Sequence, residues 1–291
     1  MQEISRRSFL KAGCAAAAAF GMGGARVFAN PLGLPIGLQL YSVRALLPKD
    51  YLGTLKQLAA IGYKEVEAAG FFDHRALDVK KAMADAGLRC VSAHYPMPVL
   101  QKDPEGTLRY AKTLGLEYIV CSSPSVADPS AGRHELTADD WRWNAEQLNR
   151  FGRQFKAEGI RMGYHNHTPE FRDLGGGRIG YDVLLKDTDP ALVTFEMDCA
   201  WVVAGGRNPV DYLHQYPDRI SMLHIKDLKP IIGDPMQRTS TVLGKGTIDY
   251  KPIFAAAKKA NIKHYFVEQE EFDGDPLDEL RQDYQYLHDL H

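Results

Sequence analysis

One unit recurs along this chain and limits what it can fold into. An amphipathic stretch ends in Gly or Asn, a polar residue or two follow, and a short apolar run then delivers polar side chains. The repeats are AAIGYKEVEAAG, ADAGLRCVSAHY, KTLGLEYIVCSS, KAEGIRMGYHNH and KKANIKHYFVEQE. Gly or Asn at that point fits the left-handed position that closes a helix. The apolar runs are too short for helices and read as strands buried on both faces. IGLQLYSVR, VTFEMDCAW and ISMLHIKDL bring the strands to eight. Helical segments separate them. The longest, TADDWRWNAEQLNRFGRQFKAEG, has Thr137 placed as its N-cap, and a final helix is expected from about Asp275 to Leu290. Eight alternating units over residues 30–291 predict a single-domain α/β protein, a (β/α)8 TIM barrel. The alternative, an open doubly wound sheet, usually carries a Gly-rich fingerprint after its first strand. Leu40-Tyr41-Ser42-Val43-Arg44 has none.

Residues 1–29 stand apart from this pattern. Ser5-Arg6-Arg7-Ser8-Phe9-Leu10-Lys11 resembles a twin-arginine export signal, and an Ala-rich apolar stretch runs from Ala12 to Gly24. Val27-Phe28-Ala29 then ends in a small residue suited to cleavage. That order marks a removable signal peptide. A membrane anchor needs roughly 20 apolar residues, and this run is shorter. Cys14 lies at the start of the apolar run, where a lipidated cysteine would come after it. The expectation is export to the periplasm, cleavage after Ala29, and no stable membrane insertion of the mature chain.

Composition narrows the partners. A formal net charge of −2 and no basic run leave no electrostatic footprint for nucleic acid. Cys90, Cys121 and Cys199 each sit inside an apolar run, so they read as buried free thiols rather than a disulfide framework. A homo-oligomer is left open.

In such barrels the chemistry sits at the C-terminal ends of the strands. Those ends deliver Glu67, His94, His165 with His167 and Glu170, Glu196 with Asp198, His224 with Lys226 and Asp227, and Glu268 with Glu270. A lone His or Glu near a strand end is ordinarily a salt-bridge or capping residue. Convergence of nearly every strand on one rim argues for a site instead.

VEAAGF, SAHY, GYHNHTPEF, FEMDCAWVVAGGRNP, LHIKD, LGKGTIDY and FVEQE resemble, in order and across the whole mature chain, the sugar isomerase/epimerase family with the xylose isomerase-like barrel. The resemblance implies one divalent metal (Mn, Co, Zn or Fe) held by Glu, Asp, His and Glu from strands five to eight. Asp198, His224 and Glu268 match. The fourth position departs: His165 stands where the family has Glu. In the family the two glutamates also act as an acid/base pair while the metal polarises substrate oxygens. With His165 in place of one, the candidate proton-transfer residues are His167, Glu170 and Glu268. Glu170 is also the alternative fourth ligand. Asn166 is expected to hydrogen bond within the cluster; the competing reading of GYHNHTPEF is a structural network bracing the loop before Pro169.

Glu67, His94, Trp201, Lys226 and Arg238 are the candidate substrate-binding groups. For Trp201 the bland reading is core packing, and for Lys226 and Arg238 simple solvation. Gly244-Lys245-Gly246 lacks the spacing of a phosphate loop, and a tight turn with Asp249 capping the next helix explains it. The expected function is a periplasmic, metal-dependent isomerase, epimerase or 3-keto-glycoside lyase that removes a proton beside a carbonyl of a small carbohydrate. A non-catalytic periplasmic sugar-binding protein and an endonuclease IV-like hydrolase are the alternatives. The second needs a basic surface and access to DNA.

Overall fold

The structure, a computed structural model, describes residues 30–132, 135–230 and 239–290; the export-signal segment with Cys14, and Arg238, lie outside the described residues. Eight strands form the barrel: β1 (Gly37–Gln39), β2 (Glu65–Ala68), β3 (Arg89–Tyr95), β4 (Tyr118–Cys121), β5 (Arg161–His165), β6 (Val193–Asp198), β7 (Ile220–Ile225) and β8 (His264–Val267). They close in chain order, and β1 pairs in parallel with both β2 and β8. Each connecting helix therefore returns the chain to the neighbouring strand, as the repeating unit requires. Two-residue segments Asp227–Leu228 and Ser240–Thr241 add a small antiparallel ladder after β7.

Local chemistry accounts for the helix ends. Helix Ala138–Lys156 opens on a capping box, with Thr137 and Asp140 each accepting from the other's backbone N–H. Helix Pro104–Leu114 stops at Gly115, which adopts the left-handed conformation expected of the repeat's glycine. The final helix spans Pro276–Asp289, capped by Asp275. Asp249 caps helix Tyr250–Ala257, as predicted.

Strand side chains alternate between the lumen and the helical shell. The outward set joins the helices in the main core. A separate apolar cluster of Val91, Tyr118, Val120, Met222 and Phe266 fills the lumen. Gly37 makes room for it, since a Cβ there would come within 2.5 Å of the Phe266 ring. At the N-terminal end of the barrel Glu65 pairs with His264 at 2.7 Å, and Arg89 bonds both Glu65 and Glu117. At the other end lies the polar layer described next. Cys90, Cys121 and Cys199 are buried free thiols, and among the described residues no helix is long and apolar enough to cross a membrane.

Candidate active site

The HNH segment explains how the site is registered. His165 is the last residue of β5. Asn166 follows, fully buried, and clamps β5 to β6: its amide donates to the Asp198 carbonyl at 3.3 Å and its side-chain oxygen accepts from Asp198 N–H at 3.1 Å. Asp198 in turn caps the short helix Cys199–Ala204, with Oδ1 accepting from Trp201 N–H at 2.9 Å. One carboxylate oxygen is thereby fixed by backbone, which leaves Oδ2 directed into the barrel without a hydrogen bond.

His165, Asp198, His224 and Glu268 bring one donor atom each to within 4.8 Å of one another. These are the four ligands the sequence nominates. Their chemistry fits a divalent cation: two imidazoles and two carboxylates suit Mn, Fe, Co or Zn, and Asp198 Oδ2 and His165 Nδ1 are buried without a well-aligned hydrogen bond, with Lys226 Nζ and Glu196 Oε2 respectively 3.2 Å away. Burial, reinforced by His224, His94, His167 and Lys226, holds the His165 pKa far below its ordinary value, so its ring is neutral and able to ligate. Burial raises the Asp198 pKa against the pull of Lys226 and His224.

A second set lies around Glu196, which shares the inward face of β6 with Asp198. Glu196 Oε2 is 2.7 Å from His94 Nε2, 3.2 Å from His165 Nδ1 and 3.3 Å from His224 Nε2. Glu67 Oε1 accepts from Gln39 at 2.7 Å and lies 2.8 Å from both His94 and His224. Burial works against charge on His94, but Glu67 and Glu196 outweigh it and push its pKa up to about 9. Glu67 is correspondingly held well below the usual carboxylate range, despite its burial. His94 lines the cavity, whereas Glu67 is fully buried and reaches it only through His94.

Lys226 is fully buried rather than solvated. Its Nζ lies 2.9 Å from Glu268 Oε2 and 3.2 Å from Asp198 Oδ2, and it donates to Glu270. Those three carboxylates outweigh burial and hold its pKa above the normal lysine value. Trp201 packs behind it, with the ammonium 4.5 Å from the ring centroid. Neither residue lines the cavity; Lys226 ties the polar layer together, and Trp201 is half-buried. Glu170 is also placed away from the cavity. It is buried and accepts from Tyr164 OH at 2.7 Å, and Tyr164 belongs to the core between barrel and helices. Glu170 belongs to neither donor set.

A cavity of about 610 Å³ opens above these groups. Its lining combines the polar groups His94, His165, His167, Glu268 and Glu270 with Tyr41, Phe71, Tyr95 and Val99. The sequence reading makes His167 one candidate for proton transfer. Burial, with Lys226 nearby, pushes its pKa down to about 3 and leaves a neutral imidazole. Glu270 moves the other way: burial and the neighbouring Glu268 raise its pKa against the pull of Lys226.

Residues 55–290 match the model of the xylose isomerase-like TIM barrel family. The chain belongs to that family. An inosose dehydratase of Clostridium botulinum is 25% identical over 265 residues, covering 80% of this chain and 87% of the relative. A crystal structure described as a sugar phosphate isomerase/epimerase from Parabacteroides distasonis superposes with a TM-score of 0.73 at 31% identity, over 86% of this chain and 96% of the other. A 3-keto-D-glucoside 4-epimerase of E. coli shares the fold alone, with a TM-score of 0.64 at 18% identity over 87% of this chain and 98% of the other. The relatives named for a reaction are thus enzymes acting on sugar-like substrates.

Within the family frame, Glu196 and Glu270 are the groups that sequence reasoning underrated. Both were visible at strand ends. The signal for Glu196 is its i, i+2 spacing from Asp198 in FEMD, which puts both carboxylates on the lumen face. Gln39, which holds Glu67, gave no such signal.

Proposed function

We propose that the protein is a divalent-metal-dependent enzyme that acts on an oxidised sugar by removing the proton beside its carbonyl. The observation that carries this reading is the convergence of His165, Asp198, His224 and Glu268 at a cavity of about 610 Å³. When bound there, a divalent ion supplies a Lewis acid toward substrate oxygens. The chain's own residues do the rest. Glu270 takes the proton: its carboxylate faces the cavity, its pKa is raised, and the Lys226 ammonium bonds it. The electron pair left behind moves onto the carbonyl oxygen. His167, a neutral imidazole at physiological pH, offers one ring nitrogen as donor and one as acceptor to substrate hydroxyls. Tyr41, Phe71 and Tyr95 supply apolar surface beside these polar groups for the faces of a sugar ring.

The relatives' names support the substrate class. Inosose and 3-keto-glucoside are both carbonyl-bearing, sugar-like molecules, and dehydration or epimerisation of either can begin with loss of the adjacent proton. The twin-arginine reading would place this chemistry in the periplasm. The test is solvent exchange. Metal-loaded protein incubated in D₂O with an inosose or a 3-keto-glucoside should incorporate deuterium beside the carbonyl, whichever product forms. Glu270→Gln should keep its metal and lose the exchange by a factor on the order of 10²–10⁴, whereas His167→Ala should slow turnover with exchange still measurable. Exchange absent with every keto-sugar tried, or undiminished in Glu270→Gln, would overturn the assignment.

A further inference from the structure

We infer that the barrel carries a second position for a divalent cation, richer in nitrogen than the first, formed by His94, His165, Glu196 and His224. These four offer donor atoms within 4.8 Å of one another. Three imidazole nitrogens, from β3, β5 and β7, face a single Glu196 oxygen at 2.7, 3.2 and 3.3 Å. Three of the four are shut away from water, Glu196 and His224 at 0% and His165 at 2% exposed, while His94 opens onto the cavity. The set is also incompletely satisfied. Glu196 Oε1 and the adjacent Glu67 Oε2 are buried without any hydrogen-bond partner. A buried carboxylate oxygen in that condition is costly, and a cation among the imidazoles would relieve it.

The two positions compete. They share His165 and His224, and a neutral imidazole has one nitrogen free to ligate. His224 turns Nδ1 toward Glu268 at 3.1 Å and Nε2 toward Glu67 and Glu196 at 2.8 and 3.3 Å. An ion with Asp198 and Glu268 draws on one edge of that ring, and an ion with Glu196 and His94 draws on the other. The protein therefore holds one ion in either of two places. Three nitrogens and one oxygen favour zinc or cobalt, whereas two and two leave more room for manganese. Zinc taken beside Glu196 occupies the histidines without presenting Asp198 or Glu268 to substrate, so it inhibits.

This inference rests on Asp198 and Glu268 belonging to the working site, and the test separates the two claims. Metal-free protein is titrated with Zn²⁺, Co²⁺ and Mn²⁺, with bound metal measured after desalting and the visible spectrum of the cobalt form recorded. Asp198→Asn/Glu268→Gln should lose Mn²⁺ yet keep close to one equivalent of Zn²⁺ or Co²⁺, and adding His94→Gln should remove it. Glu196→Gln alone should weaken Zn²⁺ at least tenfold more than Mn²⁺ and relieve inhibition by excess zinc. A folded Asp198→Asn/Glu268→Gln protein that binds neither zinc nor cobalt would refute the second position. So would a Glu196→Gln protein that loses zinc and manganese equally, because Glu196 would then only support His165. Should the double variant fail to fold, the Glu196→Gln comparison decides alone. Wild-type protein that binds no metal would remove the proposed function along with the inference.

Discussion

Replacing Lys226 with Met removes the ammonium that Asp198, Glu268 and Glu270 share. The side chain is fully buried, and its Nζ lies 2.9 and 3.2 Å from two of those carboxylates and bonds the third. Met preserves most of the volume, so the perturbation is electrostatic. Removing one partner of a buried ion pair costs about 3–5 kcal/mol, since the remaining charge is left uncompensated. For a domain of this size each kcal/mol moves Tm by about 2–4 °C, so metal-free Lys226→Met should melt roughly 6–20 °C below wild type. The same substitution should help a divalent ion, which must otherwise share Asp198 and Glu268 with a fixed positive charge. Mn²⁺ affinity should rise at least tenfold, about 1.4 kcal/mol. Differential scanning calorimetry with and without Mn²⁺ reads both effects, and the metal-induced rise in Tm should be larger in the variant. A metal-free Tm within 2 °C of wild type, together with unchanged Mn²⁺ affinity, would show that Lys226 is not the counter-ion of this layer; that 2 °C margin is about the effect of 1 kcal/mol.

Two further outcomes follow from other parts of the molecule. Asp283 on the final helix accepts from Leu243 N–H at 2.7 Å, and its other oxygen has no partner. Burial, with Glu279 and Asp227 nearby, pushes its pKa up to about 7 from 3.8. The folded state therefore binds more protons than the unfolded one between about pH 4 and 7, so this residue's contribution to stability falls as pH rises through that window. Asp283→Asn, fixed in the neutral form, should gain on wild type from pH 4 to pH 8 by on the order of 1–4 kcal/mol; a difference that stays constant with pH would contradict the shift. At the other end of the chain, Arg6→Lys/Arg7→Lys should leave uncleaved precursor in the cytoplasm, while the unaltered chain should begin near Asn30. Normal processing of the double variant would refute the twin-arginine reading.

The barrel was legible because its signal is repeated. Eight short apolar runs separated by amphipathic stretches leave little freedom once strands alternate with helices, and the predicted strands all take their places in one ring. Asp198, His224 and Glu268 were legible from short motifs, and the structure places them beside His165. What the sequence leaves open is direction and depth. Glu170 lies five residues past His165 yet bonds Tyr164 in the outer core, because the Thr168–Phe171 turn carries it past the strand end. Lys226 looks like a surface residue in LHIKD, but the carboxylates that draw it inward come from strands distant in sequence. Electrostatic environments of this kind are assembled by the fold. The low pKa of His167 and the raised one of Glu270 could not be assigned before the neighbours were known.

The Asp227 carboxylate makes four hydrogen bonds to backbone amides: Leu228 and Ile248 on one oxygen at 2.9 and 3.0 Å, Gly244 and Gly246 on the other at 3.0 Å each. An amide-lined turn of that shape is a natural seat for an anion, but here the seat is filled by a side chain from the same polypeptide. A phosphoryl group from solution would have to expel a carboxylate tethered by its own backbone, present at the millimolar effective concentration of a short flexible linkage or above, and would bring a second negative charge against the first. Lys245 does not offset this, because its Nζ reaches outward to Gln282. The turn that most resembles a phosphate loop thus carries its own occupant, and its four amides are already spent on Asp227.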